Sequence, residues 1–91
     1  MVNNNIIEKV KKVLERFKVK KAGIFGSFAR GEGNDSSDID ILIEVEGSLM
    51  DVVKIEMKLE EEIGRKIDLL TYNGLSPILR KRILEEEVRI I

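Results

Sequence analysis

Two aspartates one residue apart, Asp38 and Asp40, sit in the apolar run Ser37-Asp38-Ile39-Asp40-Ile41-Leu42-Ile43. If that run is a strand, its side chains alternate. Asp38 and Asp40 then share one face, and Ile39 and Ile41 share the other. Aspartate is depleted in strands, and two carboxylates side by side repel each other unless a cation lies between them. Upstream stands Gly26-Ser27-Phe28-Ala29-Arg30-Gly31. There a glycine lets backbone approach a ligand, and Ser27 opens a short helical turn whose N–H groups and hydroxyl can donate to phosphate oxygens. A carboxylate pair behind a phosphate-sized turn is the chemistry of metal-dependent phosphoryl or nucleotidyl transfer.

A third carboxylate, Asp68, lies in Lys66-Ile67-Asp68-Leu69-Leu70. If this run neighbours the first, Asp68 can face Asp38 and Asp40. Three carboxylates can hold two metal ions, and Asp68 could also accept the proton of an attacking hydroxyl. Taken alone, it reads equally well as a strand-edge aspartate. Arg30 can either meet phosphate or brace the loop carboxylates, and the bracing role is slightly favoured.

Composition narrows the chemistry. The chain has 91 residues, with no cysteine and no histidine. Disulfides, thiolate catalysis and the commonest general base are excluded, and a metal must be held by oxygen, which favours magnesium or manganese over zinc. At 43% apolar content the chain can fill one modest core, so a single domain over 1–91 is expected. Asn3, Asn4 and Asn5 interrupt any leader-like apolar region, and no run approaches a membrane span. A soluble, cytoplasmic protein is expected.

Charge is uneven. Residues 1–21 carry seven Lys/Arg against two Glu, a net +5, and residues 32–62 carry eleven Asp/Glu against two Lys, a net −9. Lys9, Lys11, Lys12, Arg16, Lys18, Lys20 and Lys21 lack interleaved aromatics, so a solvated helix face is favoured over direct nucleic-acid binding. Arg80-Lys81-Arg82 carries the same ambiguity. Glu60-Glu61-Glu62 and Glu85-Glu86-Glu87 read as solvated helix faces.

The elements that must position these residues follow from periodicity. Ile6, Ile7, Val10, Val13, Leu14 and Phe17 predict a helix over 5–17, with Asn5 and Glu8 resembling a capping box. A strand is predicted from Lys20 to Phe25, a loop over 32–37 and a strand from Asp38 to Val45. Ser48 and Asp51 can cap a helix that runs to about Ile63, with Gly64 as its C-terminal cap. Lys66 to Tyr72 reads as a strand. Ser76-Pro77 starts a last helix ending near Glu87, and Val88 to Ile91 reads as a short final strand that could pair at an edge. This order predicts an α/β fold, a small mixed sheet packed with helices.

The Gly-Ser turn and the Asp-x-Asp pair resemble the signature of the DNA polymerase beta-like nucleotidyltransferase superfamily. Ala29-Arg30-Gly31 after the Gly-Ser, the length, and the segments Lys66–Thr71 and Ser76–Leu79 are similar to its minimal nucleotidyltransferase (MNT) family. The resemblance implies a polymerase beta-like fold with Gly26 and Ser27 holding the triphosphate, and Arg30 is counted with them as a nucleotide-binding candidate. It makes Asp38 and Asp40 ligands of two magnesium ions, Asp68 the third acidic ligand, and ATP the substrate. It further implies a HEPN-domain ribonuclease toxin as partner. The MNT protein acts on it as antitoxin by transferring AMP to a toxin tyrosine, by masking it through contact alone, or both. Transfer to a small molecule, in a pocket completed by a second subunit, is the remaining alternative.

Overall fold

The computed structural model describes residues 4–31 and 38–91; the loop expected at 32–37, with Ser37, lies outside the described residues. The first helix, α1 (Asn4–Arg16), forms because Val10, Val13 and Leu14 fall on one face and are fully buried. Asn4 is already helical, so Asn5 lies inside α1 and not at an N-cap, where the Asn5–Glu8 capping box is expected to place it. Lys18 takes a left-handed φ of 58° and turns the chain toward β1 (Lys21–Phe25). There follow α2 (Gly26–Ala29), β2 (Ile39–Glu44), α3 (Leu49–Ile63) and β3 (Ile67–Thr71). A 3₁₀ turn (Tyr72–Gly74), α4 (Pro77–Glu86) and β4 (Val88–Arg89) complete the chain.

The strands form one mixed sheet in the order β3-β2-β1-β4. β1 is antiparallel to both β2 and β4, and β2 is parallel to β3. The α/β architecture expected from the periodicity is present. Strand ends are shorter than expected: Lys20, Asp38, Val45 and Lys66 fall outside, and Tyr72 opens the 3₁₀ turn, whose Gly74 N–H donates to Thr71 Oγ1 at 3.2 Å. Beyond β4, Ile90 and Ile91 are no longer strand, although their N–H groups still donate to the Ala22 carbonyl at 3.0 and 3.2 Å.

The helix signals work as read. The Ser48 N–H donates to Asp51 Oδ2 at 2.8 Å, and Gly64, at φ 75°, closes α3 with its N–H on the Glu60 carbonyl at 2.9 Å. Ser76 Oγ accepts from the Leu79 N–H at 3.4 Å, with Pro77 in the first turn. Among the described residues no helix is long and apolar enough to cross a membrane.

The two faces of the sheet carry different cores. Ala22, Ile24, Ile39, Ile41, Ile43, Ile67 and Leu69 pack with Val10, Val13 and Leu14 of α1 and with Ile55 and Leu59 of α3. On the other face Phe25, Leu42, Tyr72 and Ile83 form a smaller cluster. Alternation therefore places Asp40 and Asp68 on the side of α4, away from the main core.

The glutamate triplets, expected to be solvated faces, are so only in part. Glu60 accepts from the Ile67 N–H at 3.1 Å, and Glu62 pairs with Arg16. Glu86 pairs with Arg30 at 3.1 Å, and Glu87 accepts from the buried Tyr72 hydroxyl. Glu61, Glu62 and Glu85 are exposed as expected, whereas Glu60, Glu86 and Glu87 are half-buried, Glu87 lying just past the end of α4. The basic runs are not uniform either. Arg80 donates to the Tyr72 carbonyl at 2.9 Å, and Lys21 Nζ lies 4.4 Å from the Tyr72 ring centroid.

Candidate active site

Register brings the carboxylates together. Asp40 pairs across β2 with Phe25 of β1 and with Asp68 of β3. Phe25 is followed at once by Gly26, so the Gly-Ser turn begins beside Asp40. Gly26 has a φ of 75°, and a Cβ there would collide with Asp40 Oδ2. Glycine therefore answers two demands, a left-handed backbone and room for a carboxylate. Ser27 is half-buried in α2, and the Arg30 N–H closes the turn on the Gly26 carbonyl at 3.2 Å.

Asp40 is half-buried, and its pKa is raised from the ordinary 3.8 to about 6. Burial is the largest cause; the charges of Asp68 and Asp38 and a hydrogen bond between the Asp40 and Asp68 side chains add to it, and Arg30 opposes it. Asp38 is exposed immediately before β2, with Lys66 Nζ 3.9 Å from its Oδ2. Asp68 is exposed on β3. Asp40 and Asp68 are thus brought together, and the charge of Asp38 reaches Asp40. Among the described residues, no three acidic side chains already converge as an ion-holding group.

The donor set nonetheless fits a hard divalent cation. Among the described residues the candidate side-chain ligands at this place are carboxylate oxygens, and their mutual repulsion, which adds to burial in raising the Asp40 pKa, is what a cation would relieve. Asp38, Asp40 and Asp68 are the residues that would hold it.

Arg30 pairs with Glu86 of α4 while its charge also reaches Asp40, so it links the turn to α4 and to Asp40. Three neighbours escaped the sequence reading. Lys66 borders Asp38, and the Arg65 guanidinium lies 5.5 Å from the Phe28 ring centroid, against the Gly-Ser turn. Glu56 of α3 is close enough to Asp68 for that charge, after burial and Glu60, to raise its pKa. The adjacency of Arg65 and Lys66 to the Asp68 segment was visible. Their place beside Asp38 and Phe28 depends on the parallel return of β3. A cleft of about 670 Å³ bordered by Lys9, Lys12, Arg16 and Glu62 includes none of the aspartates.

Comparison with known proteins agrees with this fold. Residues 8–91 match the family described as Polymerase beta, Nucleotidyltransferase. A Methanocaldococcus jannaschii protein, named as a candidate protein adenylyltransferase, is 48% identical over 90 residues, covering 97% of both chains. A solved candidate minimal nucleotidyltransferase is 32% identical with a TM-score of 0.81, over 93% of this chain and 89% of the other. A chain of the Shewanella oneidensis complex of tri-AMPylated HEPN toxin with MNT antitoxin has a TM-score of 0.77 at 18% identity, over 97% of this chain and 71% of that one. At that identity the last likeness is one of fold.

Proposed function

The chain belongs to the polymerase beta nucleotidyltransferase family, and on that premise we propose that it transfers AMP from ATP to a hydroxyl of a HEPN-domain toxin, as that toxin's antitoxin. The observation that carries the reading is the pairing of Asp40 with Asp68 beside Gly26. A protein acceptor is supported by the name of the M. jannaschii relative and by the tri-AMPylated toxin in the Shewanella complex.

In this reading the Gly26-Ser27 turn and Arg30 hold the triphosphate, through backbone N–H groups, the Ser27 hydroxyl and the guanidinium. Asp38, Asp40 and Asp68 would hold magnesium, which would supply charge neutralisation for the triphosphate and acidify a hydroxyl. Asp68 accepts the acceptor hydroxyl's proton. The hydroxyl oxygen forms a bond to the α-phosphorus, the bond from that phosphorus to the bridging oxygen breaks, and pyrophosphate leaves with the electron pair.

Incubation with ATP labelled in the adenine, magnesium and a HEPN-domain toxin as acceptor tests the reading. Label is expected on the HEPN protein, and none with Asp38→Asn/Asp40→Asn. Protection of the toxin's target by that double variant, without label, would favour masking by contact.

A further inference from the structure

The outer edge of β3 borders the site, and the geometry points to it as the place where the acceptor protein is held, as an extended segment that adds a strand to the sheet. The inference rests on the reading above that the acceptor is a protein hydroxyl. Among the described residues β3 pairs with β2 alone. The Ile39 N–H donates to the Lys66 carbonyl at 3.1 Å. In a parallel ladder this directs the backbone groups of Lys66, Asp68 and Leu70 toward β2, and those of Ile67, Leu69 and Thr71 away from it. Glu60 already takes the Ile67 N–H. The N–H groups of Leu69 and Thr71 continue the row, a template for an extended backbone.

Helix α3 lines the same edge. Leu49, Val53, Met57 and Glu60 recur at helical spacing on one stripe, and Glu60 reaches Ile67, so the stripe lies along β3. Leu49, Val53 and Met57 are 77%, 40% and 64% exposed. On the opposite face of β3, Leu70 is 38% exposed on the same side as Asp68.

A strand added here would lie about 4.8 Å from β3. Its alternate side chains would meet the α3 stripe, and those between would stand beside Asp68 and Leu70. The segment that fits carries its hydroxyl residue between two apolar residues. Glu56, Glu60 and Asp68 outnumber Lys66 here and make this edge acidic. That favours a segment with a neighbouring Lys or Arg and disfavours a second copy of this chain, which would set one Asp68 near another.

The test uses the full chain and the acceptor protein of the labelling experiment. In their complex, amide hydrogen exchange at Leu69 and Thr71 is expected to slow about ten-fold or more. Val53→Lys/Met57→Lys, checked for an unchanged melting transition, is expected to raise the acceptor's KM about ten-fold while leaving ATP binding unchanged. Edge amides that exchange at the free rate in the complex, or a KM unmoved in the folded variant, would overturn the inference. Exchange reads docking whether or not AMP is transferred, so a complex that protects these amides without labelling would sink the transferase reading and leave the docking edge standing.

Discussion

The carboxylate of Asp40 occupies the space that a Cβ on Gly26 would need. The turn that precedes the aspartates is therefore fitted to them sterically. Gly26→Ala is expected to fail twice, since φ at this position is 75° and the added methyl meets Asp40 Oδ2. We expect a loss of about 1–3 kcal/mol in chemical denaturation and loss of magnesium-dependent ATP binding by calorimetry. A Gly26→Ala protein that binds ATP as wild type does would disprove the steric argument.

Asp40 gives the fold a pH dependence of definite sign. Its folded pKa of about 6 exceeds the ordinary 3.8, so between those values the folded chain binds more protons than the unfolded one. Stability then falls as pH rises from about 4 to about 6, and the cost is fully present above that window. Asp40→Asn removes the charge and should stabilise the protein at neutral pH by roughly 1 kcal/mol after discounting for solvent screening, while abolishing transfer. Paired melts of both proteins across this window would reveal it; equal shifts at every pH would refute it.

Magnesium should act in the opposite direction. If Asp38, Asp40 and Asp68 hold the ion, it binds the folded state and raises the melting temperature at neutral pH, with ATP adding to the effect. Asp38→Asn/Asp40→Asn should lose this response. A variant that responds as wild type does would place the ion elsewhere.

Arg30 can be assigned by comparing the two ends of its ion pair. The Arg30–Glu86 contact, 3.1 Å long and partly exposed, should be worth at most about 1 kcal/mol to stability from either side. Arg30→Ala is expected to raise the KM for ATP several-fold, and Glu86→Gln is expected to leave it unchanged. Equal KM values in the two variants would reduce Arg30 to a brace.

Tyr72 is the chain's one tyrosine, so its ionisation can be followed without ambiguity. Burial and the Glu87 carboxylate that its hydroxyl serves push its pKa well above the ordinary 10.0. Tyrosinate absorbance should stay absent past that pH until unfolding. Tyr72→Phe should cost about 1–3 kcal/mol, because Glu87 loses its donor, with little change in ATP binding.

Much of this architecture was legible along the chain because its causes are local. The caps at Ser48, Gly64 and Ser76 depend on residues within a turn of one another, and each formed as read. The alternation of Ile39, Asp40 and Ile41 settles which side chains share a face, and composition limits any metal to oxygen ligands. These features, with the Gly-Ser turn, determined the α/β class and named the candidate site.

The tertiary structure decided what those residues meet. Asp68 stands opposite Asp40 only because α3 returns the chain parallel to β2, in a register held by Ile39, Ile41, Ile67 and Leu69 in the core. The same return brings Lys66 to Asp38 and opens the outer edge of β3. Glu86 and Glu87 read as solvent-facing charge until the packing of α4 gave them Arg30 and Tyr72. Spacing along a chain sets which way a side chain points, whereas its neighbours across the sheet are set by the burial of apolar groups far apart in sequence.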